Sequence, residues 1–127
     1  MRYLSAQDIL VMHAKLVDET GGAHGVRDLG LLASLTERPK TSFGGKEIYK
    51  TIFEKAATYL ESLAKYHVFI DGNKRTAITS CARFLYINGY GFAAKDGEIE
   101  KFVLKIIEKD LHVEEITRWV KQHSKKN

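Results

Sequence analysis

A single proline in 127 residues constrains this chain more than any other feature. Proline removes a backbone donor and clashes with the turn before it, so it is the surest interruption of a helix. Pro39 is the one such break. Over most of the chain apolar residues recur at three- and four-residue spacing, the pattern of helices with one buried face. Glycines supply the punctuation instead. Such a chain is expected to fold as an all-α, single domain of about six helices over residues 1–127, joined by short connections.

The helices can be placed. Ser5-Ala6-Gln7-Asp8 has the form of a capping box, a serine and an acid three residues on satisfying each other's backbone donors. Ile9, Met12, Leu16 and Val17 mark one face of the helix that follows, and Gly21-Gly22 ends it. Asp28 caps a short second helix through Leu31, Leu32 and Leu35 that stops before Pro39. Residues 38–45 read as a Pro/Thr/Ser/Gly-rich loop displaying Phe43. A long third helix is expected from Lys46 to Tyr66, with Ile48, Ile52, Ala56, Tyr59, Leu60 and Leu63 in a stripe. A fourth runs from Lys74 to Asn88 with Ala77, Ile78, Cys81 and Leu85 inward, and Gly89 to Phe92 forms a tight, extended connection. Asp96 is expected to cap a fifth helix carrying Ile99, Phe102, Val103, Ile106 and Ile107. Val113, Ile116 and Val120 define a sixth, with Trp119 in its core face.

The net charge of +4 comes from 20 Lys and Arg against 16 Asp and Glu. The cations are spread among acids rather than clustered, which argues against a nucleic-acid partner. Lys121, Lys125 and Lys126 read as a solvated basic tail. Cys81 is the only cysteine, so there is no internal disulfide and no cysteine-based zinc site. No apolar run nears the roughly 18 residues a membrane span requires, and Met1 to Ser5 lacks the apolar core of a signal peptide. A cytoplasmic protein is expected.

The stretch YHVFIDGNKRTA, Tyr66 to Ala77, lies between the third and fourth helices and concentrates the chemistry. It sets Lys74 and Arg75 at a helix N-terminus, where each would cost about 0.3–1 kcal/mol against the helix dipole unless an anion were bound. The first backbone N–H groups of a helix lack intrahelical partners and point outward. Gly72 and Asn73 sit at that mouth, a residue that lets a ligand approach closely and a residue favoured as an N-cap. A polyphosphate there would turn both cations into partners. Asp71 offers a hard oxygen ligand of the kind Mg²⁺ takes together with phosphate oxygens, a role compatible with capping the next helix. His67, with a pKa ordinarily near neutrality, is the natural general base for an acceptor hydroxyl. Phe69 is expected to drop into the core and pin the loop. A base, a metal carboxylate, an anion hole and cations are what phosphoryl or nucleotidyl transfer uses.

His67-Val68-Phe69-Ile70-Asp71-Gly72-Asn73-Lys74-Arg75 resembles the active-site loop of the Fic/Doc (Fido) superfamily, H-x-F-x-[DE]-[GA]-N-[GK]-R, at seven fixed positions of nine. The resemblance extends to Tyr3-Leu4-Ser5 before the first helix, to Gly21-Gly22 and to Tyr59-Leu60. AMP-transferring members of the superfamily carry Gly after the Asn, a second Arg three residues beyond the first, and commonly Pro after the His. Here Lys74, Ile78 and Val68 stand at those positions. Lys74 fills space that a phosphate would otherwise occupy, and Ile78 cannot hold a γ-phosphate. N-K-R-T-A is similar instead to the Doc (death on curing) toxins. That resemblance implies a kinase that uses ATP, binds it in the reverse sense and phosphorylates a threonine of elongation factor Tu, blocking translation. It also implies a Phd-like antitoxin whose helical tail occupies a groove on the toxin, expected near the first helix and the C-terminal helices, apolar and flanked by basic residues. The alternatives are transfer of AMP to a protein hydroxyl and a catalytically silent binding module.

Other features are weaker. Residues 38–45 fall where the superfamily places its target-docking flap, though a plain connector explains them equally well. Gly44-Gly45-Lys46-Glu47 suggests a P-loop but fails, with Lys at position 40 and Glu at 47. Lys65 reads as a solvated helix-end lysine, and Thr79 as bonded to backbone. His13, His24, His112 and His123 show no metal-ligand spacing.

Overall fold

The computed structural model describes all residues, 1–127, and bears out the helical reading. α1 (Ala6–Thr20), α2 (Leu29–Glu37), α3 (Ile52–Lys65), α4 (Asn73–Ile87), α5 (Glu98–Lys109) and α6 (Val113–Gln122) account for most of the chain. Two small antiparallel ribbons complete it, β1 (Ser42–Phe43) with β2 (Lys46–Glu47), and β3 (Tyr90–Phe92) with β4 (Ser124–Lys126). No helix is long and apolar enough to cross a membrane.

α3 is the axle of the molecule. Ten successive residues, Lys55 to Ala64, are buried, so neighbours cover every side of this helix. α4, α5 and α6 pack on it, with α2 and the 3₁₀ turn Arg38–Lys40 along another side. Small residues on the facing surfaces, Ala56, Ala57 and Ala64 on α3, Ala77 and Cys81 on α4, let backbones approach closely. Leu60, Leu63, Phe84, Leu85, Ile106 and Ile116 fill the space between them. Tyr59, buried in the same helix, accepts from the Leu4 N–H at 3.0 Å and donates to the Leu4 carbonyl at 3.3 Å, holding the N-terminal segment against the core. Burial pushes its phenol up to about 12.

Helix starts follow the expected chemistry in two places. Ser5 and Asp8 form the capping box of α1, and Asp28 accepts from the Leu31 N–H at 2.9 Å. Thr51 and Glu54 form a second box that opens α3. That box marks the first departure, because the third helix begins at Ile52 and not at Lys46. Gly44 and Gly45 take φ of 58° and 79°, the geometry of a two-residue hairpin turn, so Lys46 and Glu47 pair back onto Phe43 and Ser42. Ile48 is accordingly half exposed. Asp96 does not cap α5. Gly97 occupies that position, and Glu98 closes the turn by accepting from the Lys95 N–H at 2.8 Å. The basic tail is solvated, with Lys121, Lys125 and Lys126 exposed, and its end is paired. Lys125 and Lys126 pair with Gly91 and Tyr90, and Asn127 N–H reaches the Gly89 carbonyl.

Candidate active site

The Tyr66–Gly72 loop between α3 and α4 is fastened on three sides. Val68 and Phe69 are buried, and Ile70 is exposed. The Val68 carbonyl accepts from Arg27 and Asp28 N–H at 2.7 and 3.2 Å, and Ile70 N–H donates to the Gly25 carbonyl at 3.1 Å. The α1–α2 connector thus runs beside the loop like an extra strand. Asn73 closes it from within, its Oδ1 accepting from Phe69 N–H at 3.0 Å and its Nδ2 donating to the Phe69 carbonyl at 2.9 Å. Asn73 is therefore the loop's clamp and not the cap of α4. Gly72, with φ 76°, stands at the cap position, and no side chain caps that end.

The α4 end of the loop opens on a pocket of about 500 Å³ lined by His67, Asp71, Gly72, Asn73, Lys74 and Arg75, with Ala64, Ile70 and Ile107 as its apolar wall. All six residues singled out in the sequence thus border one cavity. His67 is exposed at its rim. Lys74 is exposed too, with no acid near enough for an ion pair.

Asp71 is also exposed, and its carboxylate is held in place. Oδ2 accepts from Ala23 N–H at 3.1 Å and Oδ1 from Gly72 N–H at 2.8 Å. These two bonds, with the charge of Arg75 adding to them, hold the carboxyl below the usual aspartate range. It is ionised at neutral pH, and each oxygen keeps a lone pair. No group of three or more His, Cys, Asp and Glu side chains gathers anywhere as a ready metal cage. One fixed, ionised carboxylate nevertheless fits Mg²⁺, which keeps several waters and takes its other ligands from phosphate.

Arg75 departs from the simplest expectation. Its Nη1 donates to Thr20 Oγ1 and its Nη2 to the Gly21 carbonyl, 3.4 Å away. A cation unfavourable at the start of α4 is thereby placed at the C-terminal end of α1, where the dipole favours it. The two cations at the N-terminus of α4 differ accordingly. Arg75 has a structural partner, while Lys74 has none and is the free cation of the pocket.

Lys65 neither reaches the pocket nor lies in solvent. Its ammonium donates to Glu61 at 2.9 Å and to the Leu111 carbonyl at 2.6 Å, and pairs with Asp110 at 2.8 Å. Glu61 in turn pairs with Arg38 at 2.7 Å. Burial alone would raise the Glu61 pKa, but the hydrogen bonds from Lys65 and Arg38 outweigh it and hold the carboxyl below its ordinary value. This cluster, centred on the buried Glu61, ties the root of the β1–β2 hairpin to α3 and to the α5–α6 corner. Arg38, Glu61 and His112 line a large cavity of about 780 Å³ beside α6. The same three residues, with Tyr66 and Ile107, line a smaller one that abuts the His67 pocket. Neighbouring hollows thus extend from His67 past Ile107 to Arg38, at the root of the hairpin, whose Phe43 is 84% exposed.

The single apolar groove expected along the first and C-terminal helices is replaced by two separate hollows. One, of about 370 Å³, lies between α1 and α4, with Tyr3, Leu4, Val11, Met12 and Ile87 in its lining and Arg2, Arg83 and the acid Asp8 beside them. The other is the 780 Å³ cavity, whose lining is mainly charged and polar.

The comparison with known proteins agrees with this arrangement. The Fic/DOC family model matches residues 3–85, from the segment before α1 through the motif loop and most of α4. The chain belongs to the Fic/DOC family. Within it the chain is 41% identical over 92 residues to a protein named Toxin Doc of Mycolicibacterium smegmatis, across 72% of this chain and 68% of that one. It is 36% identical over 89 residues to one named Protein kinase doc of Escherichia phage P1, across 70% of each. The resemblance is thus to Doc proteins in particular.

One contributor escaped the sequence reading. His13, set aside for want of metal-ligand spacing, is buried behind the loop and touches both Phe69 and Asp71. A signal was present. Ile9, His13 and Val17 fall at four-residue spacing on the buried face of α1, and a polar side chain on an apolar stripe requires a partner.

Proposed function

We propose that this chain is a Doc-type toxin, a single Fido domain that transfers the γ-phosphoryl group of ATP to a protein hydroxyl in the cytoplasm. By family resemblance the acceptor is a threonine of elongation factor Tu, and the consequence is arrest of translation. The observation that carries the reading is the convergence of His67, Asp71 and Lys74 on one pocket at the N-terminus of α4. The relative named as a protein kinase supports phosphoryl transfer over transfer of AMP.

In this reading His67, exposed at the rim, takes the proton of the acceptor hydroxyl as it attacks phosphorus. Lys74 and the N–H groups at the start of α4 bind phosphate oxygens. Arg75 lends positive charge from the α1 side, Gly72 provides close approach, and Asn73 keeps the loop in shape. Asp71 would hold Mg²⁺, which when bound neutralises charge on the phosphates. Little covalent chemistry is left to the protein, because phosphoryl transfer is catalysed mainly by positioning and charge neutralisation. The hollows that run from His67 to Arg38, at the root of the exposed Phe43 hairpin, support docking of a protein acceptor there. A Phd-like antitoxin silences the enzyme, and the hollow between α1 and α4, lined by five apolar residues with Arg2, Asp8 and Arg83, supports a seat for its helix.

Incubation with ATP labelled at the α or the γ position, in a bacterial lysate, tests the reading. Label should pass to a protein from γ alone, and the acceptor should gain about 80 Da rather than the roughly 329 Da of an AMP group, the two marking phosphoryl and nucleotidyl transfer. Transfer of the α label would establish the AMP reading. No transfer, with nucleotide affinity surviving Asp71→Ala and Lys74→Ala together, would leave a silent binding module.

A further inference from the structure

His13 is 3% exposed on α1, and it grips the motif loop by two different contacts. Its ring stacks on that of Phe69, centroids 3.8 Å apart and planes within 7°. Its Nε2 lies 2.7 Å from the carbonyl oxygen of Asp71. A carbonyl can only accept, so Nε2 carries the hydrogen.

The second contact reaches further than it first looks. The Asp71 carbonyl and the Gly72 N–H belong to one planar peptide unit. That N–H donates to Asp71 Oδ1 at 2.8 Å. Fixing the carbonyl from one side therefore fixes the direction of the N–H on the other, and with it one oxygen of the carboxylate. The other oxygen is held by Ala23 N–H. The chain of contacts is His13 ring, Asp71–Gly72 peptide, Asp71 carboxylate.

We propose that His13 is a positioning residue for Asp71: through the Asp71–Gly72 peptide it sets the orientation of the carboxylate that faces the phosphate pocket. The bland account is that His13 is core filling whose N–H happens to be satisfied. The two accounts differ in what they require, since filling needs only an aromatic body, whereas positioning needs the N–H.

Three variants separate them. His13→Phe keeps the stack and loses the donor. His13→Leu loses both, and His13→Gln supplies an N–H donor without the ring. Two measurements are made on each full chain, amide exchange at Ile70 and Gly72 by NMR, and transfer kinetics with ATP. The kinetic arm rests on the phosphotransferase reading above, and the exchange arm does not. We expect faster exchange at Gly72 in the Phe and Leu variants while amides of α3 remain protected. Their kcat should fall about 10–100-fold, the usual effect of misplacing a supporting contact, with a smaller change in the KM for ATP. His13→Gln should recover part of both. Parent-like exchange and kcat in His13→Phe overturn the proposal, as does a Gln variant no better than Leu. If His13→Phe fails to fold, the Gln–Leu comparison decides alone. Should the parent itself transfer nothing, the functional reading falls, and the exchange data still decide whether His13 holds the loop.

Discussion

Lys55, almost wholly buried in α3, donates its ammonium to Glu47 of the β1–β2 hairpin across 2.9 Å. The same ammonium donates to the Pro39 carbonyl at 3.0 Å and lies 5.6 Å from the centre of the Tyr3 ring. A buried cation on the central helix thus anchors the root of the exposed hairpin. The two ends of the pair are unequal, since the Glu47 side chain is 53% exposed and can turn to water. Lys55→Met should keep the volume but leave the Pro39 carbonyl without a partner. The expected loss is about 1–3 kcal/mol in urea unfolding. Glu47→Gln, at the wet end, should change stability by less than about 1 kcal/mol. Equal effects would show that the pair, not the buried carbonyl, matters.

His67 is exposed and lies outside the hydrophobic core. His67→Ala should leave the thermal midpoint close to that of the parent and lower transfer by about 10²–10⁴-fold, the range for a general base. Transfer and toxicity at parental levels in this variant would remove His67 from the reaction.

Gly22 supplies a less obvious handle on the pocket. Its φ is +111°, and a Cβ there would come within 2.7 Å of Asp71 Oδ2 and 3.3 Å of Arg75 Nη2. Gly22→Ala should cost about 1–2 kcal/mol for the backbone conformation and also displace the carboxylate. Transfer should fall on the order of 10²-fold, as for misplacement of a reacting group by about 1 Å, although residue 22 carries no chemistry. Measured kcat settles it. Lost stability with unchanged kcat would mean that Asp71 tolerates being moved.

Glu61 gives the pH dependence. Its carboxyl is held below its ordinary 4.5, and a carboxyl lowered by folding stabilises fully above the unfolded value. That stabilisation is lost as the pH falls through the folded value. Stability should therefore be level from neutrality down to about pH 5 and decline below it. Glu61→Gln should cost about 1.5–3 kcal/mol at neutral pH, for hydrogen bonds made to a charged group, and should make the acid decline shallower. Denaturant midpoints measured from pH 3 to 7 check this, and an undiminished acid slope in the variant would assign the decline to other carboxyls.

Local chemistry was legible in the sequence, and long-range chemistry was not. Ser5 with Asp8 and the inward spacing of α5 and α6 are decided within a few residues, so the pattern shows them. The nine-residue motif likewise lies on one loop. The third helix is shorter than its periodicity suggests, because Ile48 continues the apolar period of Ile52 and Ala56 although Gly44-Gly45 is a hairpin turn and Thr51 with Glu54 a capping box. Two local signals were overridden by one periodic one. The bonds from Arg75 to Thr20, from Ala23 to Asp71 and from His13 to Asp71 join residues roughly 50 or more positions apart, which no local pattern encodes. Lys65 illustrates the same limit, since its partner Asp110 lies on the far side of α4 and α5 in sequence.

The β3–β4 ribbon has a mechanical consequence. Tyr90 and Lys126 are paired, so the segment that carries α5 and α6 begins and ends at one place. A force applied at Asn127 meets first the bond from its N–H to the Gly89 carbonyl, then the short ladder of Ser124–Lys126 on Tyr90–Phe92. The load passes from there into the end of α4. The intrahelical bonds of α6 are shielded from tension until that ladder has parted, and the 31 residues between its strands are then held by the packing of α5 and α6 on α3.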